Sequence, residues 1–104
     1  MLTISDRSKL KIIKVRPWRI NFIYDGLHYS LNDHSDCGES VTRLVCKETD
    51  DVLWSDYCSL YINDYIKVGY NDYKKPLVYS HIDIDFFIDK LIEDGIIKIA
   101  VIKS

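Results

Sequence analysis

The sequence predicts an α+β fold, in which an antiparallel sheet built from N-terminal hairpins carries one C-terminal helix on a face and contains a buried last strand. Three observations lead to this prediction: short alternating runs in the first half, one amphipathic helical stripe, and a final run that is apolar on both sides. At 104 residues the chain is long enough for one hydrophobic core, so a single domain, 1–104, is expected.

The first strand and the first hairpin are predicted from residue type and alternation. Lys9–Val15 is rich in β-branched and basic residues, and lysines are typical of an edge strand because they oppose pairing with another chain. Pro17 ends this strand, since proline has no N–H to donate. Apolar and polar residues then alternate over Trp18–Tyr24 and Leu27–Leu31. Asp25-Gly26 between these runs is typical of a type I′ turn, whose two central residues need positive φ.

The middle of the chain is predicted to hold two further short strands. A polar loop is expected at Asn32–Ser40, followed by a strand at Val41–Cys46. A turn at Glu48–Asp51 leads into the returning strand, which Val52–Trp54 opens. Residues 55–75 stay unassigned, because a helical period at Tyr61, Ile62, Tyr65 and Ile66 gives way to a stretch without one.

A helix is predicted at Ser80–Asp94. Its apolar residues recur at helical spacing and would form one buried stripe. They are Ile84, Phe87, Ile88, Leu91 and Ile92. Ser80 with Asp83 three residues later fits a capping box, and Gly95 fits the left-handed residue that ends many helices. Ile96–Ile102 is apolar apart from Lys98, which predicts a strand in the sheet interior.

Charge is distributed unevenly along the chain, although the formal net charge is only −2. Residues 7–19 carry six cations and no acid, whereas residues 20–73 carry ten acids and three bases. Six of the eight tyrosines lie between Tyr29 and Tyr73. Because tyrosine offers a large contact area at low entropic cost, the acidic, tyrosine-rich middle is interpreted as a binding surface.

The residues predicted to bind a partner are phenols, carboxylates and one helical ring. They are Tyr57, Tyr61, Asp64, Tyr65, Tyr70, Asp72, Tyr73 and Phe86. Phe86 is included because it and Ile82 are predicted to lie off the buried stripe, on the side that carries Asp89 and Glu93. In the alternative interpretation, several of these rings cap the core and keep their hydroxyls in water.

Three groups of residues have the chemistry of a metal site, but each also has a simpler interpretation. His34, Cys37, Cys46 and Cys58 have the chemistry of a zinc site but not the paired spacing, and free cysteines are often small core residues. Asp33, His34, Asp36 and Glu39 do not fit a calcium loop, and short polar side chains are ordinary in loops. His81, Asp83 and Asp85 would share one face of a strand, as in a metal-dependent nuclease, but an acid here better fits the first turn of a helix. No metal and no cofactor is therefore expected.

These patterns favour a small, non-catalytic cytoplasmic protein that binds and inhibits or regulates a larger protein. The sequence contains no nucleophile elbow, P-loop or dinucleotide fingerprint. If the partner handles nucleic acid, aspartates would occupy a groove that receives phosphates, as in an anti-CRISPR or other phage-encoded inhibitor. The alternatives are a nucleic-acid-binding protein that uses the basic N-terminal strand with Trp18, and a zinc-stabilised module.

A cytosolic location without membrane attachment is expected from apolar-run length and cysteine number. The N-terminal residues hold no continuous apolar run of the secretory type, and no run approaches the roughly 18 apolar residues of a membrane span. Three cysteines at irregular spacing do not fit a disulfide framework, so reduced thiols are expected.

The first testable prediction is that the fold needs neither metal nor disulfides, because the helical stripe and the buried last strand supply a core and the cysteines are irregularly placed. A chelator and a reductant should each leave the thermal midpoint of unfolding unchanged. A large drop with chelator, together with about one zinc per chain by elemental analysis, would instead make His34 and the three cysteines ligands.

Overall fold

The structure is a computed structural model that describes residues 2–16, 19–36, 39–57, 62–66 and 82–100, with side chains described at these positions except 34–36, 39–40 and 62–63. The strands are β1 Leu2–Ile4, β2 Leu10–Arg16, β3 Arg19–Tyr24, β4 Leu27–Asp36, β5 Glu39–Cys46, β6 Asp51–Asp56 and β7 Ile97–Ile99. The α-helix, α1, spans Ile84–Glu93, and 3₁₀ turns occur at Arg7–Lys9 and Ile62–Tyr65.

The α+β prediction is confirmed. Strands β2 to β6 form one antiparallel sheet in chain order, so each strand pairs with its sequence neighbours, and β1 and β7 pair in parallel in a separate two-stranded sheet. Within the described ranges, no helix is long and apolar enough to cross a membrane.

The predicted edge strand and first hairpin are both confirmed. The strand predicted at Lys9–Val15 appears as β2, at one edge of the five-stranded sheet. At the turn between β3 and β4, φ is 51° at Asp25 and 82° at Gly26, which are the two positive values that a type I′ turn requires.

The prediction of a polar loop at Asn32–Ser40 is wrong. Strands β4 and β5 stay paired from Tyr29 opposite Cys46 to Asp36 opposite Glu39, so these polar residues extend a long hairpin. A β-ladder joins backbone groups, and polar side chains are compatible with it wherever the strand runs past the apolar core. Residues 37 and 38, between the two strands, lie outside the described residues.

The helix is confirmed, but it begins later than the capping box predicts. Asp83 is the N-cap, because its Oδ1 accepts a hydrogen bond from the Phe86 backbone N–H at 3.0 Å. The carboxylate satisfies a free N–H group and also interacts favourably with the helix dipole. Ser80 lies outside the described residues.

Gly95 follows the end of the helix as its left-handed residue, as predicted. Gly95 has φ of 73°, and its N–H donates to the Ile92 carbonyl at 3.0 Å while the Ile96 N–H donates to the Leu91 carbonyl at 2.9 Å. These two bonds define a Schellman motif, which satisfies carbonyls at the C-terminus of the helix. The chain thereby reverses into β7.

The core lies between α1 and one face of the five-stranded sheet, which we call the inner face. Its fully buried side chains come from both layers: Ile20, Phe22, Leu31 and Leu44 from the sheet, and Phe87, Ile88 and Leu91 from the helix. Phe22 meets Phe87 edge-on, with ring centroids 5.6 Å apart. Ile84 and Ile92 are half-buried beside this core.

The prediction that Ile82 lies off the buried side of the helix is wrong. Ile82 precedes the helix, is only 4 % exposed and packs into the core.

The predicted C-terminal strand exists, but it does not enter the interior of the main sheet. Strand β7 pairs with β1, a strand that the sequence analysis missed, from Leu2 opposite Ile97 to Ile4 opposite Ile99. Ile97 is buried, whereas Ile99 is 43 % exposed. The apolar run is thus shared between a buried side and an outward side of a small separate sheet.

A buried tyrosine connects the β1 segment to the main sheet. The Tyr24 hydroxyl accepts hydrogen bonds from the backbone N–H groups of Ser5 at 2.8 Å and Asp6 at 3.3 Å, and it lies 3.1 Å from Ser5 Oγ. The hydrogen bond with the Ser5 side chain, followed by those with the backbone, lowers the pKa of Tyr24. The loop after β1 is therefore fixed against the end of β3.

The helix supplies the second prediction. Leu91→Ala should lower the free energy of unfolding by about 2 to 5 kcal/mol, because a fully buried leucine would leave a cavity. Glu93→Ala, at an exposed position on the same helix, should be nearly neutral. Urea unfolding of both variants checks this, and equal small effects would contradict the assigned helix face.

Candidate binding surfaces

The helix side of the molecule is acidic, and we call it the helix surface. Its acids lie on α1, at the ends of α1 and in the 3₁₀ turn that packs against it: Asp64, Asp83, Asp85, Asp89, Glu93 and Asp94. Two described cations, Arg7 and Lys90, lie among them. Phe86 is half-buried on the same helix. One partly exposed aromatic ring therefore lies on a helix surface that is mostly negative.

Arg7 connects the first 3₁₀ turn to this surface. Its Nη1 lies 3.0 Å from Asp85 Oδ1, and its Nη2 lies 2.6 Å from Asp89 Oδ1. The hydrogen bonds to Asp89 and then Asp85 raise the pKa of the Arg7 guanidinium above its ordinary value. The Asp85 and Asp89 side chains remain 75 % and 63 % exposed, so solvent screens these pairs and both carboxylates stay accessible.

The structure separates the residues predicted to bind a partner. Tyr57 is 78 % exposed and follows β6, whereas Phe86 lies on α1, and Asp64 is exposed in the turn beside α1. The remaining predicted residues besides Tyr65 lie outside the described residues: Tyr61, Tyr70, Asp72 and Tyr73. Of the predicted set, Asp64 and Phe86 therefore lie on the helix surface as defined here.

Tyr65 is a core residue and is not accessible to a partner in this fold. Its side chain is 1 % exposed, and its hydroxyl donates a hydrogen bond to the Asp94 carboxylate at the end of α1. The tyrosine thus holds the 3₁₀ turn against the helix. The spacing of Tyr65 with Ile62 and Ile66, which fits an apolar helical side, is the sequence signal that could have identified its burial.

The outer face of the five-stranded sheet is basic. Cross-strand partners share a face, so the pairing of Arg16 with Arg19, of Arg19 with Asn32 and of Asn32 with Arg43 places one row across four strands. The described cations of this outer face are Lys11, Lys14, Arg16, Arg19 and Arg43, and no described side chain on it is acidic. Arg43 was missed because in sequence it lies within the acidic middle.

The metal hypotheses gain no geometric support among the described residues. Cys46 is buried opposite Tyr29 in the core, as a small hydrophobic residue would be. Asp83 caps the helix and Asp85 pairs with Arg7. The described ranges contain no group of three His, Cys, Asp or Glu residues that could hold a metal ion. Cys37, Cys58 and His81 lie outside those ranges.

The third prediction concerns how much a buried and an exposed tyrosine each contribute to stability. Tyr65→Phe should lower the free energy of unfolding by about 1.5 to 3 kcal/mol, because it removes a hydrogen bond to a charged group. Tyr57→Ala should be nearly neutral, because that side chain is exposed. Denaturant unfolding of both variants measures the difference. An unchanged stability in Tyr65→Phe would show that the Asp94 contact contributes nothing.

Comparison with known proteins gives no relative: no family model, no curated protein and no solved structure matches this chain. Function is therefore inferred from the chemistry of the two charged surfaces.

Proposed function

We propose that this protein is a non-catalytic binding protein that attaches through its helix surface to a larger, basic protein and inhibits or regulates it. The observation that carries the proposal is the position of the acids around Phe86. Asp85 and Asp89 are largely exposed on the same helix as this half-buried ring. An aromatic anchor within complementary charge is typical of protein interfaces.

The charge of the helix surface determines what kind of partner fits. Six acids against two cations give a negative patch, and like charge on a partner would be repelled. A cationic groove would be attracted over a distance of about one Debye length, roughly 8 Å at physiological ionic strength. Such attraction raises the association rate more than it changes the dissociation rate.

A nucleic-acid-handling enzyme is the partner class that this surface fits best. Its groove presents cations at the positions of phosphates, and exposed carboxylates such as Asp85 and Asp89 offer oxygen acceptors to the same cations. A protein that occupies such a groove excludes the nucleic acid and so inhibits the enzyme. This is the action of an anti-CRISPR-type inhibitor encoded by a phage or mobile element, working in the cytoplasm.

The fourth prediction tests this proposal with variants of the helix surface. Phe86→Ala should weaken binding to the captured partner by about 2 kcal/mol, as interface anchors do, and Asp85→Lys with Asp89→Lys should slow association about tenfold or more at low salt. The partner is first captured from the native cell on immobilised protein, and rates are then measured by surface plasmon resonance at low and physiological salt.

A matched control is available on the opposite layer. Lys11→Glu with Lys14→Glu also replaces two charges, but on the outer sheet face, and should leave binding of the protein partner nearly unchanged. The opposite ranking, with binding lost in this variant and retained in the helix variants, would reject the helix surface as the protein-binding site.

A further inference from the structure

The outer sheet face brings together arginines that are distant in sequence. Arg16, Arg19 and Arg43 lie in one row across the sheet, and Asn32 lies between Arg19 and Arg43. Neighbouring strands are about 4.8 Å apart, so Arg19 is about 5 Å from Arg16 and about 10 Å from Arg43 at the backbone. Lys14 and Lys11 continue the positive charge along β2 in the two adjacent rows.

The row places positive charges side by side, with no described acidic side chain on the same face to neutralise them. Arg16 and Arg19 are direct cross-strand partners, an arrangement that destabilises a sheet. None of the five cations forms an ion pair with a described residue, whereas Arg7 and Lys9, elsewhere on the surface, each pair with an aspartate. A bound polyanion would relieve this repulsion.

Two polar atoms of this face are buried without a partner among the described residues. They are Arg43 Nε, in the arginine row, and Asn21 Oδ1, in the adjacent row opposite Lys14. Because both atoms are shielded from solvent, a phosphate would be bound instead by the accessible guanidinium groups of the row, such as that of the exposed Arg16. The side toward β6 is different, since Val45 and Val52 face outward there. The basic part of the face is therefore centred on β2 and β3 and reaches Arg43.

We propose that this outer face binds the phosphate backbone of double-stranded DNA. Arginine suits phosphate because its planar fork donates two hydrogen bonds at once. Phe22, Tyr24, Tyr29 and Trp54 belong to the inner-face positions, so no described Phe, Tyr or Trp of the five strands lies on the outer face to stack on the bases of a single strand. A duplex has the higher charge density, with one negative charge per about 1.7 Å.

This inference goes beyond the proposed function, because it uses the layer opposite the helix surface. The two surfaces are compatible: a protein that docks on a nucleic-acid-handling enzyme through α1 would present the arginine row to the DNA beside it. Binding through phosphates makes the contact weakly dependent on sequence and strongly dependent on salt.

The fifth prediction concerns a labelled duplex of about 20 base pairs, measured by fluorescence anisotropy with the full chain between about 50 and 200 mM salt. Arg19→Gln with Arg43→Gln should weaken binding about tenfold or more at low salt and reduce the slope of log affinity against log salt by about 2. Lys11→Gln with Lys14→Gln, at a second site on the same face, should act in the same direction.

The control removes two cations that lie elsewhere. Lys9→Gln with Lys98→Gln changes the net charge equally but should leave duplex affinity nearly unchanged, since neither residue belongs to the outer face. Circular dichroism and thermal melts check folding. Arg19→Gln alone should have a melting temperature no lower than that of the wild type, because it removes the repulsion between Arg16 and Arg19.

Duplex binding that both outer-face variants leave intact would overturn the proposal. Tighter binding to a single strand of the same length, or binding to poly-glutamate with none to DNA, would also overturn it.

Discussion

The packing of α1 on the inner face of the sheet decides on which face the described charges of strands β2 to β5 lie. Side chains of a strand alternate between two faces, so burial of Ile20, Phe22 and Leu44 fixes their neighbours Arg19, Asn21 and Arg43 on the outer face. A shift of the pairing register by one residue would exchange the two sets and bury arginines against Phe87. The apolar core and the basic face are therefore two consequences of the same register.

The acidic side is fixed by the ends of the helix. Asp83 is held at the N-terminus by its capping hydrogen bond, and Asp94 at the C-terminus accepts the Tyr65 hydroxyl just before the Schellman turn at Gly95. Arg7 crosses from the first 3₁₀ turn to Asp85 and Asp89. These acids are thus held in position by hydrogen bonds or ion pairs and still expose carboxylate oxygens to solvent. The helix surface is therefore both fixed in geometry and negative.

Sequence reasoning predicted the features that depend on nearby residues. Asp25-Gly26 identified its hairpin because positive φ at two adjacent positions is a local requirement, and the stripe ending in Leu91 identified the helix because its period is also local. The failures depend on contacts between distant segments. The short β1 has no period of its own and is defined by β7 about ninety residues later. The burial of Tyr65 has a local signal in its spacing with Ile62 and Ile66, but its hydrogen-bond partner Asp94 lies 29 residues away.

The same distinction explains why the sequence identified the basic N-terminal strand but not the extension of the basic face to Arg43. A net charge of −2 and a pI near 5.8 for the whole chain weigh against a polyanionic partner. In sequence, Arg43 lies in a range that carries mostly acids. Pairing through β4 places Arg43 in a row with Arg19, and the residues near Arg43 in sequence do not predict this row.

The molecule measures 25 Å along its shortest principal axis, which is more than twice the Debye length of about 8 Å at physiological ionic strength. At that salt, charges of the two surfaces that lie farther apart than this length are largely screened from each other. A near-neutral total is therefore compatible with two faces that each attract a partner of opposite sign.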